Sequence, residues 1–133
     1  DTKEDYTEDV DKAAGTAAQL LLSTPMDKES LARLNAGQFL IRWMTGTPTY
    51  TFSIDAVATK ISKGNKDLML VYLAAMVKYC LDNPLESKND NKVKFNTVQR
   101  VLDYCKEQGV NLKGELKKLN AASEKGELEK YLQ

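Results

Sequence analysis

Histidine is absent from all 133 residues. That removes the commonest general base and the commonest zinc ligand. Serine–histidine and cysteine–histidine hydrolases are excluded outright. No Ser-x-x-Lys occurs, so the serine–lysine alternative has no support. Net charge is also lacking: 19 basic residues cancel 19 acidic ones, which gives no general pull toward nucleic acid or anionic lipid. The seven glycines never gather into a phosphate-cradling loop. Asn89-Asp90-Asn91 resembles the start of a calcium loop, but the required glycine and bidentate glutamate are missing. The residues therefore call for no metal or other cofactor. The longest apolar run, Leu68 to Leu81, is too short and too closely flanked by charge to span a membrane.

That run is nevertheless the organising stretch. LMLVYLAAMVKYCL carries one charge, Lys78, and its apolar residues occupy nearly the whole circumference of a helix. Leu68, Tyr72, Ala75, Met76 and Tyr79 line one face; Met69, Leu73, Val77 and Cys80 line another. Such a helix must be covered by neighbours on most sides. We place it at 66–82, capped by Asn65 after a Lys63-Gly64-Asn65 turn.

Around it the pattern predicts further helices. One runs over 9–22, with Val10, Ala14, Ala17 and Leu21 inward, and Ser23-Thr24-Pro25 ends it. A second, capped by Asp27, reaches about residue 45 with a stripe of Ala32, Ala36, Leu40, Trp43 and Met44; Ala36-Gly37 permits close approach of another helix. Ser53 is expected to cap a short helix over 54–62. Others follow over 92–108, closed by Gly109, and over 111–123. Leu128, Tyr131 and Leu132 supply a last docking turn. The only strand-like text, residues 49–53, has no partner strand and reads as an extended connector. The expected fold is a single all-α domain over 1–133: about six helices around a buried central helix. Residues 1–8, within an acidic start, are expected to fray, and 84–91 to form a mobile polar loop.

Two cysteines permit one disulfide. If the central helix and its successor form an antiparallel hairpin, Cys80 faces the region of Phe95, with Cys105 on the order of 15 Å farther along at ~1.5 Å per residue. A disulfide needs Cα atoms within about 7 Å. Two free, buried thiols are expected.

The candidate site is aromatic: Trp43, Tyr50, Phe52, Tyr72 and Tyr79. Tyrosine and tryptophan combine apolar area with a polar tip, which suits recognition. Tyr50 and Phe52 share one side of the connector and can lie together over Trp43. The same cluster also suits a packing role, pinning the connector to the bundle. Two functional classes follow. One is a non-enzymatic module that binds a protein partner or a small apolar ligand. The other is an enzyme that uses carboxylates such as Asp55, Asp67, Asp82 or Glu86 on cell-wall or glycan substrates.

At Phe39 to Phe52 (FLIRWMTGTPTYTF), Leu68 to Leu81 and Lys125 to Leu132 (KGELEKYL), the chain resembles an uncharacterised family of small exported helical proteins of Gram-negative bacteria. The resemblance implies a periplasmic or cell-surface location after removal of a signal peptide, which fits a chain beginning with Asp1. A trimmed cytoplasmic protein is the alternative. The family supplies no activity, cofactor or catalytic residue.

Overall fold

The computed structural model describes residues 5–63 and 65–133. Part of the acidic start, and Gly64 of the turn before the central helix, lie outside the described residues. Seven α-helices make up the described chain: α1 (Glu8–Ser23), α2 (Leu31–Gly46), α3 (Ala56–Ser62), α4 (Lys66–Asp82), α5 (Asp90–Glu107), α6 (Glu115–Glu124) and α7 (Leu128–Tyr131). A single 3-10 turn, Pro84–Glu86, joins α4 to α5. No strand forms among the described residues, and none of their helices is long and apolar enough to cross a membrane.

α4 is the covered helix its sequence demands. Every residue from Val71 to Val77 is buried, as are Leu68 and Cys80. It packs against α1, α2, α3 and α5. Asn65 caps it, its side chain accepting from the Leu68 amide at 3.1 Å. Gly37 of α2 brings that helix close: a Cβ there would sit 3.1 Å from a methyl of Leu70. At the end of α5, Gly109 takes a positive φ of 67°, and the Val110 amide returns to the Cys105 carbonyl at 2.8 Å. This is the left-handed helix stop that glycine permits. Both cysteines are free and buried.

Several boundaries differ from the sequence reading, for local reasons. Asp27 does not cap α2; its carboxylate accepts from the Glu29 amide in the preceding turn, and Ser30 caps the helix at the Arg33 amide. Ser53 does not cap α3, whose N-cap is Asp55. Asn89 caps α5 at the Lys92 amide, so that helix begins at Asp90 rather than 92. Gly114, at positive φ, delays α6 to Glu115.

The inward face of α2 was also misassigned. Ala32 is exposed and Arg33 is buried in its place, 3% accessible. The reason lies in α1, which has no basic residue in its last turn to complement its exposed carbonyls. Arg33 Nη1 donates to the Leu21 carbonyl at 3.0 Å, the Thr24 carbonyl at 3.1 Å and Thr24 Oγ1 at 2.7 Å. Arg100 of α5 reaches the Leu22 carbonyl at 3.3 Å. Tyr104 Oη donates to the Thr24 carbonyl at 2.7 Å. Thr24 Oγ1 and Ser23 Oγ in turn donate to the Leu20 and Gln19 carbonyls. The end of α1 is thus closed by side chains from α2 and α5, which fixes three helices at one corner.

Replacing Arg33 with Met keeps much of the apolar stem and removes the donors. Burying a guanidinium without a carboxylate carries its own desolvation cost. Because Leu21 is left with no other side-chain donor, we expect a net loss of about 1–3 kcal/mol in urea denaturation. An unchanged midpoint would mean that relief of desolvation offsets the lost bonds.

Candidate functional site

The connector between α2 and α3 brings three of the five expected site residues together. Trp43 ends the buried stripe of α2 and is 2% accessible. Thr47 closes that helix through its amide to the Trp43 carbonyl, and the chain then runs extended past Pro48. Tyr50 and Phe52 fold back over the indole, with centroids 5.9 Å and 5.6 Å from it and 6.2 Å from each other. These are the tilted and offset arrangements that aromatic quadrupoles favour. The indole N–H donates to Asp11 Oδ1 at 2.9 Å. One acid of the N-terminal run therefore has a defined partner, which anchors the aromatic set to α1. Sequence reasoning read that run only as solvated charge, and no local spacing links positions 32 residues apart.

Tyr72 stands on α4 and lines a cavity together with Phe52 of the connector. With Met76 and Cys80 it forms a stripe over successive turns that, together with the connector and the start of α5, lines this cavity of about 290 Å³. Thr51, Phe52, Ser53 and Asp55 line the connector side. Ser87, Asp90, Val93 and Lys94 line the side at the start of α5. Lys94 pairs with Asp55 at 3.6 Å across the rim. Burial raises the Tyr72 hydroxyl far above its ordinary pKa, and the neighbouring Asp55 carboxylate adds to that shift. Burial likewise pushes the Cys80 thiol up to about 11. At neutral pH both therefore present neutral, protonated groups, and neither is an activated nucleophile.

A broader, shallower groove runs between α1 and α4, lined by Asp11, Tyr50, Lys78 and Asp82 among others. Tyr50 faces it, so the aromatic set separates groove from cavity. Burial, then the Asp11 charge, raises the Tyr50 pKa.

Tyr79 is not part of this constellation. Its hydroxyl donates to Glu86 Oε2, while Lys92 Nζ donates to Glu86 Oε1 at 2.9 Å. This triad ties the 3-10 turn to α4 and α5. The bond to Glu86 pushes the Tyr79 hydroxyl up to about 12. The Tyr79 bond, then that from Lys92, lowers the Glu86 carboxyl. Of the four acids considered as catalytic candidates, only Asp55 lies on the cavity. Asp90, also there, was read as part of the polar loop and of a calcium-like run that lacks the required glycine and glutamate. No group of three or more Cys, Asp or Glu side chains gathers to hold a metal among the described residues.

No protein-family model, curated protein or solved structure matches the chain.

Two measurements check this geometry. In a double-mutant cycle, Trp43→Phe and Asp11→Ala should show a coupling of about 1–2 kcal/mol, as expected of a hydrogen bond to a charged acceptor; additive losses would mean that the bond contributes nothing. Separately, Tyr79→Phe should move the Glu86 carboxyl back toward its ordinary pKa in an NMR titration. A carboxylate held low in the folded state stabilises it above the ordinary carboxylate range, and loses that contribution as pH falls through the folded value. The variant should therefore lose less stability on acidification than the parent. An unmoved Glu86 titration would contradict the triad.

Proposed function

We propose that this chain is a non-catalytic helical binding module, acting after export, that receives a small ligand in the cavity beneath its aromatic connector. The observation supporting this reading is the stripe Tyr72–Met76–Cys80 on α4. It faces a cavity between the connector and the start of α5, and the Tyr72 hydroxyl forms no hydrogen bond among the described residues. The hydroxyl is not among the solvent-excluded unpartnered atoms of the described residues, which lie on Arg33, Thr97 and Asn120, so it remains open to a hydrogen-bonding ligand. The volume lies at the small end of ligand sites, which suits a single-ring compound rather than a peptide segment. Ligand sites typically combine apolar walls with a few convergent polar groups, and Phe52, Met76 and Val93 beside Tyr72 and Asp55 have that composition. Export rests on the resemblance at residues 39–52, 68–81 and 125–132. A protein partner is accommodated by the same reading on the adjoining groove at Tyr50.

A second reading has one observation in its favour. Asp55 and Asp90 line the same cavity, as a carboxylate-dependent glycan or cell-wall enzyme requires. The pairing of Asp55 with Lys94 weighs against it, since a general acid must be held protonated.

The test is an amide NMR titration with three probes: indole, benzylamine and N-acetylglucosamine. At least one should saturate and shift Phe52, Tyr72 and Lys94 together, and a polymer of N-acetylglucosamine incubated with the protein should stay uncleaved over the same period. Shifts scattered over the surface, or none, would remove the binding reading. Release of reducing ends would select the enzyme.

A further inference from the structure

The charges around the cavity are few and unequal. Asp55 and Asp90 supply two carboxylates, and Lys94 the only ammonium. Lys94 is committed to Asp55 at 3.6 Å, the two side chains being 26% and 43% accessible. Asp90 forms no ion pair among the described residues, although it stands at the first position of α5. Its charge favours that helix N-terminus, but no side-chain cation neutralises it. The rim thus carries one solvent-exposed carboxylate, Asp90, that no ion pair occupies among the described residues.

Below the rim the cavity is mostly apolar, with the Phe52 ring on one side and the Met76 thioether on the floor. Tyr72 is 1% accessible, and its neutral hydroxyl is an unspent hydrogen-bond donor and acceptor. Resting on the binding reading above, we infer that the cavity is selective for a small organic cation: an ammonium group on a compact aromatic or aliphatic body. The ammonium sits at the rim between Asp90 and Asp55. The body lies against Phe52 and Met76, and a polar substituent on it meets Tyr72. An anionic ligand would face the Asp90 carboxylate, and a neutral one would leave it uncompensated.

The experiment compares 2-phenylethylamine with 2-phenylethanol, nearly equal in shape but differing in charge, by amide NMR titration of the whole chain. The amine should bind about fivefold more tightly than the alcohol, the ratio worth ~1 kcal/mol for a partly exposed pair. Asp90→Asn should reduce that preference, read as the ratio of amine to alcohol affinity. Lys94→Gln, which frees Asp55, should strengthen the amine alone. A fold defect cannot produce changes of opposite sign in two variants. Added salt should narrow the gap between the two compounds. Equal affinities for amine and alcohol at the cavity would overturn the charge selectivity and leave the binding reading intact. If neither compound shifts the cavity residues, and indole does not either, both fail together.

Discussion

A helix that is apolar on every side has to be walled in, and α4 sets this requirement for the rest of the chain. Burying it removes the largest block of apolar side chains from water, at roughly 25 cal/mol per Å². α1, α2, α3 and α5 are arranged to that end. Walls need corners that do not splay. The corner at the C-terminal end of α1 is held by Arg33, Arg100 and Tyr104, each satisfying a carbonyl that the helix cannot satisfy itself. The hydrophobic requirement on α4 and the polar requirement at α1 are thus met by the same helices, α2 and α5.

Where the wall is not helical, packing leaves a space beside α4. Between α2 and α3 the chain has only a short extended segment to lay over Tyr72, Met76 and Cys80. An extended strand presents alternate residues to one side, so Tyr50 and Phe52 fall on Trp43 while Thr51 turns away. Two rings can seal the indole, but they cannot also fill the space over three turns of α4. The cavity follows from the covering segment being short and irregular. It is a consequence of topology that the fold has left open rather than filled with larger side chains.

The sequence was most legible where periodicity is strong. The central helix, its Asn65 cap, the aromatic stack on Trp43, the close approach at Gly37 and the two free buried thiols all follow from local spacing or from hairpin geometry. What escaped was polar and long-range. Arg33 was invisible because a charged residue on a helix is ordinarily solvated; its burial depends on α1 carbonyls twelve and nine residues away and on Tyr104 much later in the chain. Asp11 was lost in an acidic run whose other members read as solvating. The polar stretch after α4 looked like open loop, yet Glu86 and Asn89 are a hydrogen-bond hub and a helix cap. Tyr79 was grouped with the other aromatics by composition, whereas helix rotation turns it toward Glu86. In each case the pattern reports which face is apolar, and says nothing about which distant polar group will meet it.

The same distinction bears on the site. Apolar cavity walls are cheap to specify, since the α4 stripe would exist for packing alone. The polar groups differ in this respect. Asp90 is solvent-exposed at the first position of α5, where its charge favours the helix N-terminus, so its presence alone needs no ligand. Tyr72 is the residue for which packing is the weaker account: it lines the cavity and its hydroxyl forms no hydrogen bond among the described residues. A phenylalanine at position 72 would cover α4 without leaving a hydroxyl unpaired. A phenolic group held over an apolar cavity wall is the feature that a hydrogen-bonding ligand would use.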